Sequence, residues 1–378
     1  MRITWDHSHR SLVANCCKGL SKAAIAGLLG IAALLSGCTT ATVVRTVDLT
    51  PPNHIGFTQD EASLLDIGVT IFDANVPEDY DERVAQIILP EVRRAEANYM
   101  AYLTKNLLQS SGNWGAVRVT PRPTNAVDVI VNGKIIMATG EQLILEYRVT
   151  DATGKEWFSK RYETLASKYG YEEVGALRGV DAFQAVYKDF ANDLLAYRQT
   201  LSDADISTIR SIAEMRFAQD FLPQAFGDHV QAEGSGAYRL LRLPAENDPQ
   251  LKQVRKVRER EYLFIDTLDE YYANFYQQMY EVYQNWRKSS YQDAIEYKEL
   301  KSKSRQKIIG GTLAIAAGVS TVYASDNAYA DASGVSLVGA GSALIISGIA
   351  RRQEAEQVAD KLRELGSDAE AELVPTTI

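Results

Sequence analysis

Ile67-Gly68-Val69-Thr70-Ile71-Phe72 is an apolar run with β-branched residues, and it suits a buried strand. A turn follows at Pro77 to Asp81. From Pro90, which suits a first helical turn, to Gln109, the residues Val92, Ala95, Tyr99, Tyr102, Leu103 and Leu107 share one helical stripe. Arg93, Arg94, Glu96 and Lys105 lie elsewhere around that axis, and Gly112 stands where the helix needs a left-handed cap. Four strand-like segments come next: Ala116 to Thr120, Val127 to Met137, Gln142 to Thr150 and Glu156 to Thr164. The last two flank Asp151-Ala152-Thr153-Gly154, whose glycine marks a hairpin loop. A second amphipathic helix, Ala182 to Tyr197, carries Phe183, Val186, Tyr187, Phe190, Leu194 and Tyr197 at helical spacing. The order β-α-β-β-β-β-α predicts an α+β fold over residues 64–200, a small mixed or antiparallel sheet with two helices.

Towards the carboxyl end the chain turns helical. Ser202-Asp203-Ala204-Asp205 has the form of a capping box and opens a helix that carries Ile206, Ile209, Ala213 and Phe217. Residues 227–249 are interrupted by glycine and proline, and Glu233 to Gly236 reads as a loop. Gln250 to Lys307 contains neither proline nor glycine, so it reads as one or two long helices, up to about 85 Å of rise. Residues 201–307 are therefore expected as a helical region distinct from the α/β unit. Tyr272, Tyr276, Tyr283 and Trp286 form an aromatic stripe on it. Such a stripe is a packing surface for a partner element, or a stacking face for glycan strands, since tyrosine and tryptophan combine a flat apolar face with a polar edge.

Two apolar segments follow, Ile308 to Ala324 and Gly334 to Ala350, separated by a polar turn with Asp326, Asn327 and Asp331. Glycines recur at sevens: Gly311 and Gly318, then Gly334, Gly341 and Gly348. A seven-residue step returns near one helical face, and a bare face lets backbones approach closely. Residues 308–350 thus read as a glycine-zipper helical hairpin, either at a membrane or buried in a soluble bundle. Lys298, Lys301, Lys303, Arg305 and Lys307 precede it and Arg351 and Arg352 follow, so both ends are basic. A charged helix and tail occupy 351–378.

The amino end carries its own signal. Arg2, Arg10, Lys18 and Lys22 precede an apolar run from Ala23 to Leu35, which is the layout of a secretory leader. Leu35-Ser36-Gly37-Cys38 then resembles the lipobox of bacterial lipoproteins. The resemblance implies cleavage after residue 37, lipidation of Cys38, membrane lipid as a partner and, with Thr39 next, sorting to the outer membrane. Residues 38–63, with Pro51-Pro52, are expected as a semi-extended tether.

Composition limits the chemistry. The 378 residues carry a net charge of −9, and losing a leader with four basic residues and one acid deepens it, which disfavours nucleic acid as a partner. Cys16 and Cys17 leave with the leader, so no thiol remains for a disulfide, a metal or a nucleophile. His54 and His229 have no ligand spacing between them, and Gly339-Ala340-Gly341 lacks the rest of a dinucleotide fingerprint. No cofactor, no metal and no catalytic set is expected.

Ala126-Val127-Asp128-Val129-Ile130-Val131-Asn132-Gly133-Lys134, Tyr147 to Lys155 and the helix stop at Leu108 to Gly112 together resemble an α/β periplasmic domain of envelope proteins. It is the type seen in the TolB amino-terminal domain, curli-secretion lipoproteins and transporter-auxiliary lipoproteins. The resemblance covers about 67–197 and implies a non-catalytic domain working through protein contacts. The expectation is a non-enzymatic outer-membrane lipoprotein that faces the periplasm and associates with itself or with an envelope complex. The alternative is a peptidoglycan or glycan binder.

Overall fold

A computed structural model of the chain describes residues 48–55, 63–86, 88–167, 169–171, 180–234, 236–324, 340, 342–347, 349–354, 357 and 360. The lipobox, most of the leader-proximal tether and the turn of the 308–350 segment lie outside them. The fold is α+β.

Its centre is a five-stranded mixed sheet in the order β2-β1-β3-β4-β5. β1 (Ile67–Thr70) pairs in parallel with β2 (Val117–Thr120) on one side and β3 (Val129–Ala138) on the other. β4 (Gln142–Asp151) and β5 (Glu156–Leu165) continue from β3 as an antiparallel meander. β1 is buried at every position, as a central parallel strand must be, and this is why its sequence is a continuous apolar run rather than an alternating one. β3 and β4 alternate instead, so Val129, Val131, Leu145, Tyr147 and Val149 point to one covered face.

Two helices cover that face. A short helix, α1 (Tyr80–Gln86), precedes α2 (Pro90–Ser110), which starts at its proline and ends before Gly112, whose φ of 67° supplies the left-handed stop. α3 (Gln184–Arg198) lays Phe190 flat on Tyr147, ring centroids 3.8 Å apart and 9° from parallel. α4 (Asp203–Phe221) opens with the complete capping box: Asp205 N–H donates to Ser202 Oγ, and Ser202 N–H donates to the Asp205 carboxylate. α5 (Pro223–Phe226) follows.

Residues 227–249, expected to be interrupted by glycine and proline with a loop at Glu233 to Gly236, contain a two-stranded sheet of β6 (Val230–Ala232) and β7 (Tyr238–Leu240) on either side of that stretch. Strands of three residues carry too little alternation to be read from sequence. Gly236, at φ 81°, closes their turn, and Tyr238 N–H donates to the Thr153 carbonyl at 2.7 Å, tying the pair to the β4–β5 hairpin.

α6 (Pro249–Ala324) is a single helix of 76 residues, about 110 Å of rise. It passes through the expected boundary at 307/308 without interruption. The expected division at 200/201 also does not separate two cores: Ile206, Ile209, Ile212, Val254, Met279 and Tyr283 belong to the same buried cluster as the sheet residues. The physical reason is the β2 edge. A strand edge presents unpaired backbone groups, and α6 covers this one. Val119 N–H on β2 donates to Asp269 at 3.3 Å, and Arg118 pairs with Asp266 at 2.5 Å.

The expected tether is also partly docked. Asn53 N–H donates to Asn192 on α3 at 2.8 Å, Ile55 N–H donates to Asn113 Oδ1 at 2.9 Å, and Lys188 pairs with Asp48. The polar, proline-containing composition that reads as a free linker here supplies backbone donors to a neighbouring surface.

Candidate functional site

The long helix and the way it is held form the candidate site. Along its middle, Tyr276, Tyr280, Tyr283 and Arg287 recur at steps of three and four and therefore share one face. That face lies on α2. Tyr99 of α2 stacks on Tyr276 with centroids 4.7 Å apart and meets Tyr283 edge-on at 4.9 Å. Tyr283, 1 % exposed, donates its hydroxyl to Glu96 at 2.7 Å, and Glu96 pairs with Arg93 at 2.9 Å. Burial pushes the Glu96 carboxyl above its ordinary range, against the opposing pull of Arg93 and the Tyr283 hydroxyl. Burial likewise raises the Tyr283 phenol well above its ordinary value.

One turn on, Arg287 is fully buried. Its Nη2 meets Asp181 at 3.0 Å, and its guanidinium sits 4.8 Å from the ring centres of both Phe183 and Tyr283. Arginine suits the position because its planar, weakly hydrated group stacks on rings while forming an ion pair. Further contacts hold α6 at both ends of this lock. Arg258 and Tyr262 both donate to the Ala126 carbonyl at 2.7 Å, Lys105 pairs with Asp269 at 2.6 Å, and Lys298 pairs with Glu141 at 2.7 Å.

Large apolar side chains are exposed along α6 both in its clamped part, at Leu263, Phe264 and Tyr271, and beyond Leu300. Ile309 is 51 % exposed and Leu313 58 %, and on the returning helical segment Ile346 is 69 % exposed. Lys307 Nζ donates to Ser347 Oγ at 2.7 Å, which puts the basic stretch of α6 beside the second apolar segment. Arg305 and Arg352 line one groove with Ile308 and Ile309. The arrangement is an apolar surface collared by Lys307, Arg305 and Arg352. No helix among the described residues is long and apolar enough to cross a membrane. Among the described residues no group of three or more His, Cys, Asp or Glu is placed to hold a metal ion.

The residues singled out in the sequence fall as follows. Tyr272, Tyr276 and Trp286 are half-buried against the core, and Tyr283 is buried within it. The stripe therefore packs, and Tyr283 offers no open ring to a glycan, because the α2 face is amphipathic and Tyr99 already covers it. Gly311 is buried within α6; Gly318 also lies on α6, its surroundings outside the described residues. Cys38, Gly334, Gly341 and Gly348 lie outside the described residues. Sequence reasoning missed Arg287, Asp181 and Glu96. A signal for the first was present, since Arg287 sits four residues after Tyr283 on the aromatic stripe, where a solvated charge would not belong.

His229, expected without a metal partner, is buried beside Phe226, its Nδ1 3.0 Å from the Arg242 carbonyl. No family model matches the chain, and no curated protein or solved structure matches it.

Proposed function

We propose that this chain is a non-enzymatic outer-membrane lipoprotein, anchored through Cys38 and facing the periplasm, that serves as an assembly or scaffold component of a cell-envelope complex. The observation that carries the reading is the apolar surface after Leu300: Ile309 and Leu313 are exposed on α6, whose middle is clamped to the α/β core by buried charges, and Ile346 is exposed on the helical segment 342–347 beside it. Exposed apolar residues of this size, rimmed by Lys307, Arg305 and Arg352, mark a surface that another chain or a membrane covers. A clamped helix transmits position, so a partner bound to the arm is held at a fixed place relative to the sheet domain. Self-association through Gly311, Gly318, Gly334, Gly341 and Gly348 would bring identical arms together.

Membrane fractionation tests the proposal, followed by carbonate extraction and sizing of the solubilised chain. The expected result is an outer-membrane fraction that depends on Cys38, with an assembly larger than one chain that Gly341→Leu disrupts. A soluble or peripheral monomer, indifferent to both Cys38→Ser and Gly341→Leu, would sink it.

A further inference from the structure

The two places where α6 exposes large apolar side chains differ in the charge beside them. Around Leu263, Phe264 and Tyr271, residues 258–271 hold five acids and two arginines. From Leu300 to Ala324, around Ile309 and Leu313, there are four basic residues, Lys301, Lys303, Arg305 and Lys307, and no acid. The second apolar segment repeats this pattern: residues 334–352 hold Arg351 and Arg352 and no acid, and Ile346 and Ile349 are exposed. Six basic residues thus gather at one apolar surface of a chain whose net charge is −9. Glu299 pairs with Lys303 at 2.9 Å and Glu354 with Arg351, but both pairs lie in the open, where such contacts are weak.

The basic groups rim the apolar ones closely. Arg305 comes one turn before Ile309, and Arg352 comes three residues after Ile349. Lys301, Arg305 and Arg352 line a groove of about 450 Å³ with Ile308 and Ile309. Long basic side chains lay their apolar stems along such a surface and carry the charge to its rim. An apolar helical face rimmed by Lys and Arg is the pattern of a helix lying in the plane of a bilayer interface. A second copy of this chain set face to face would instead bring the same positive charges against one another.

We infer that this surface docks on an anionic phospholipid bilayer, with Ile309, Leu313, Ile346 and Ile349 entering the acyl boundary and Lys301, Arg305 and Arg352 meeting lipid phosphates. The inference rests on the reading proposed above for bringing the surface beside a membrane. It adds the chemistry of the partner, a headgroup layer of net negative charge.

Ile346→Trp in the full-length chain reports the contact, read as tryptophan emission above that of the parent chain. The probes are vesicles of phosphatidylcholine alone, or with about 30 % phosphatidylglycerol, both carrying a nitroxide near the top of the acyl chain. Quenching should be at least about fivefold stronger on the phosphatidylglycerol vesicles. Phe264→Trp, exposed in the acidic stretch, should be quenched on neither. Each basic side chain strengthens contact with an anionic surface about fivefold, so Lys301→Gln with Arg305→Gln should raise the lipid needed for half-quenching about twentyfold. Both side chains are exposed, so the melting temperature should not move.

Equal quenching on the two vesicles, quenching of Phe264→Trp to the same degree, or indifference to the charge substitutions would overturn the inference. Blue-shifted emission without quenching would overturn it too, because a second copy would then cover the surface. The same measurement on Cys38→Ser separates the inference from the lipoprotein reading. Quenching that survives Cys38→Ser supports the surface contact without the anchor. A chain held on vesicles through Cys38 whose Ile346→Trp emission stays unquenched leaves the anchor standing and ends the inference.

Discussion

Arg287 of α6 and Asp181, three residues ahead of α3, form an ion pair at 3.0 Å with side chains 1 % and 5 % exposed. Two charges taken out of water offset one another only as long as both are present. Arg287→Met or Asp181→Leu alone should therefore cost about 3–5 kcal/mol. The double variant should recover most of that, because it buries no charge. Urea denaturation of the three variants checks the coupling, and strictly additive losses would show that the pair is not what seats α6.

Tyr283→Phe removes one oxygen and leaves Glu96 without its tyrosine donor. The ring keeps its place between Tyr99 and Trp286, so the loss isolates the hydrogen bond. A decrease of about 1–3 kcal/mol is expected. Part of it should vanish in acid, where Glu96 takes up a proton more readily than an ordinary glutamate and needs no donor.

Asp128 sits beneath α6, 4 % exposed, and burial raises its carboxyl from 3.8 to about 6. The folded state thus binds the proton more tightly than the unfolded chain does. Its contribution to stability is greatest below pH 4 and is lost as pH rises through 6. Asp128→Asn should flatten the pH dependence of unfolding between about 4 and 6 and raise stability at pH 8 by roughly 2 kcal/mol. Thermal melts across that range decide it; an unchanged slope would place the titration elsewhere.

Gly140 marks the closest approach of the β3–β4 turn to α6. A Cβ built there would stand 2.5 Å from the Arg287 carbonyl and 2.7 Å from the Tyr291 nitrogen, both backbone atoms that cannot swing aside. Gly140→Ala should push helix and turn apart, at a cost of about 1–3 kcal/mol. Faster hydrogen exchange should appear at the middle of α6 before it appears in β4.

Lys188 on α3 holds the docked tether through Asp48, whose carboxyl its hydrogen bond lowers to about 2. Asp48 is 38 % exposed, so water screens the pair, and Lys188→Met should change global stability by less than about 1 kcal/mol. The local effect should be larger: the amides of Asn53 and Ile55 should exchange faster. Acid should release the same residues as pH falls from 3.8 through 2, where Asp48 is protonated.

Local signals carried far in this chain. Pro90 and Gly112 bound α2, the Ser202–Asp205 box starts α4, and Gly154 turns β4 into β5; each depends on one residue's backbone chemistry, which is written in the sequence itself. The continuous apolar run at residue 67 likewise identified a strand buried on both faces. The aromatic stripe on α6 was legible as a surface that meets something, but not as one that meets α2. Gln250 to Lys307 is helical by composition, yet nothing in that composition says the helix lies along the β2 edge, since the donors there, such as Val119 N–H, exist only once the sheet has formed.

The sequence by itself determined the α+β class, the element order, most of the helix stops and an apolar, glycine-spaced arm with basic ends. Only the tertiary structure decided that the long helix shares one core with the sheet, that residues 48–55 are docked, and that Arg93, Glu96, Asp181 and Arg287 are buried together. The difference is physical. Caps, turns and periodicity act over a few residues, whereas the pairing of Asp181 with Arg287 joins positions 106 residues apart, and a buried charge is tolerable only through a partner that folding alone supplies.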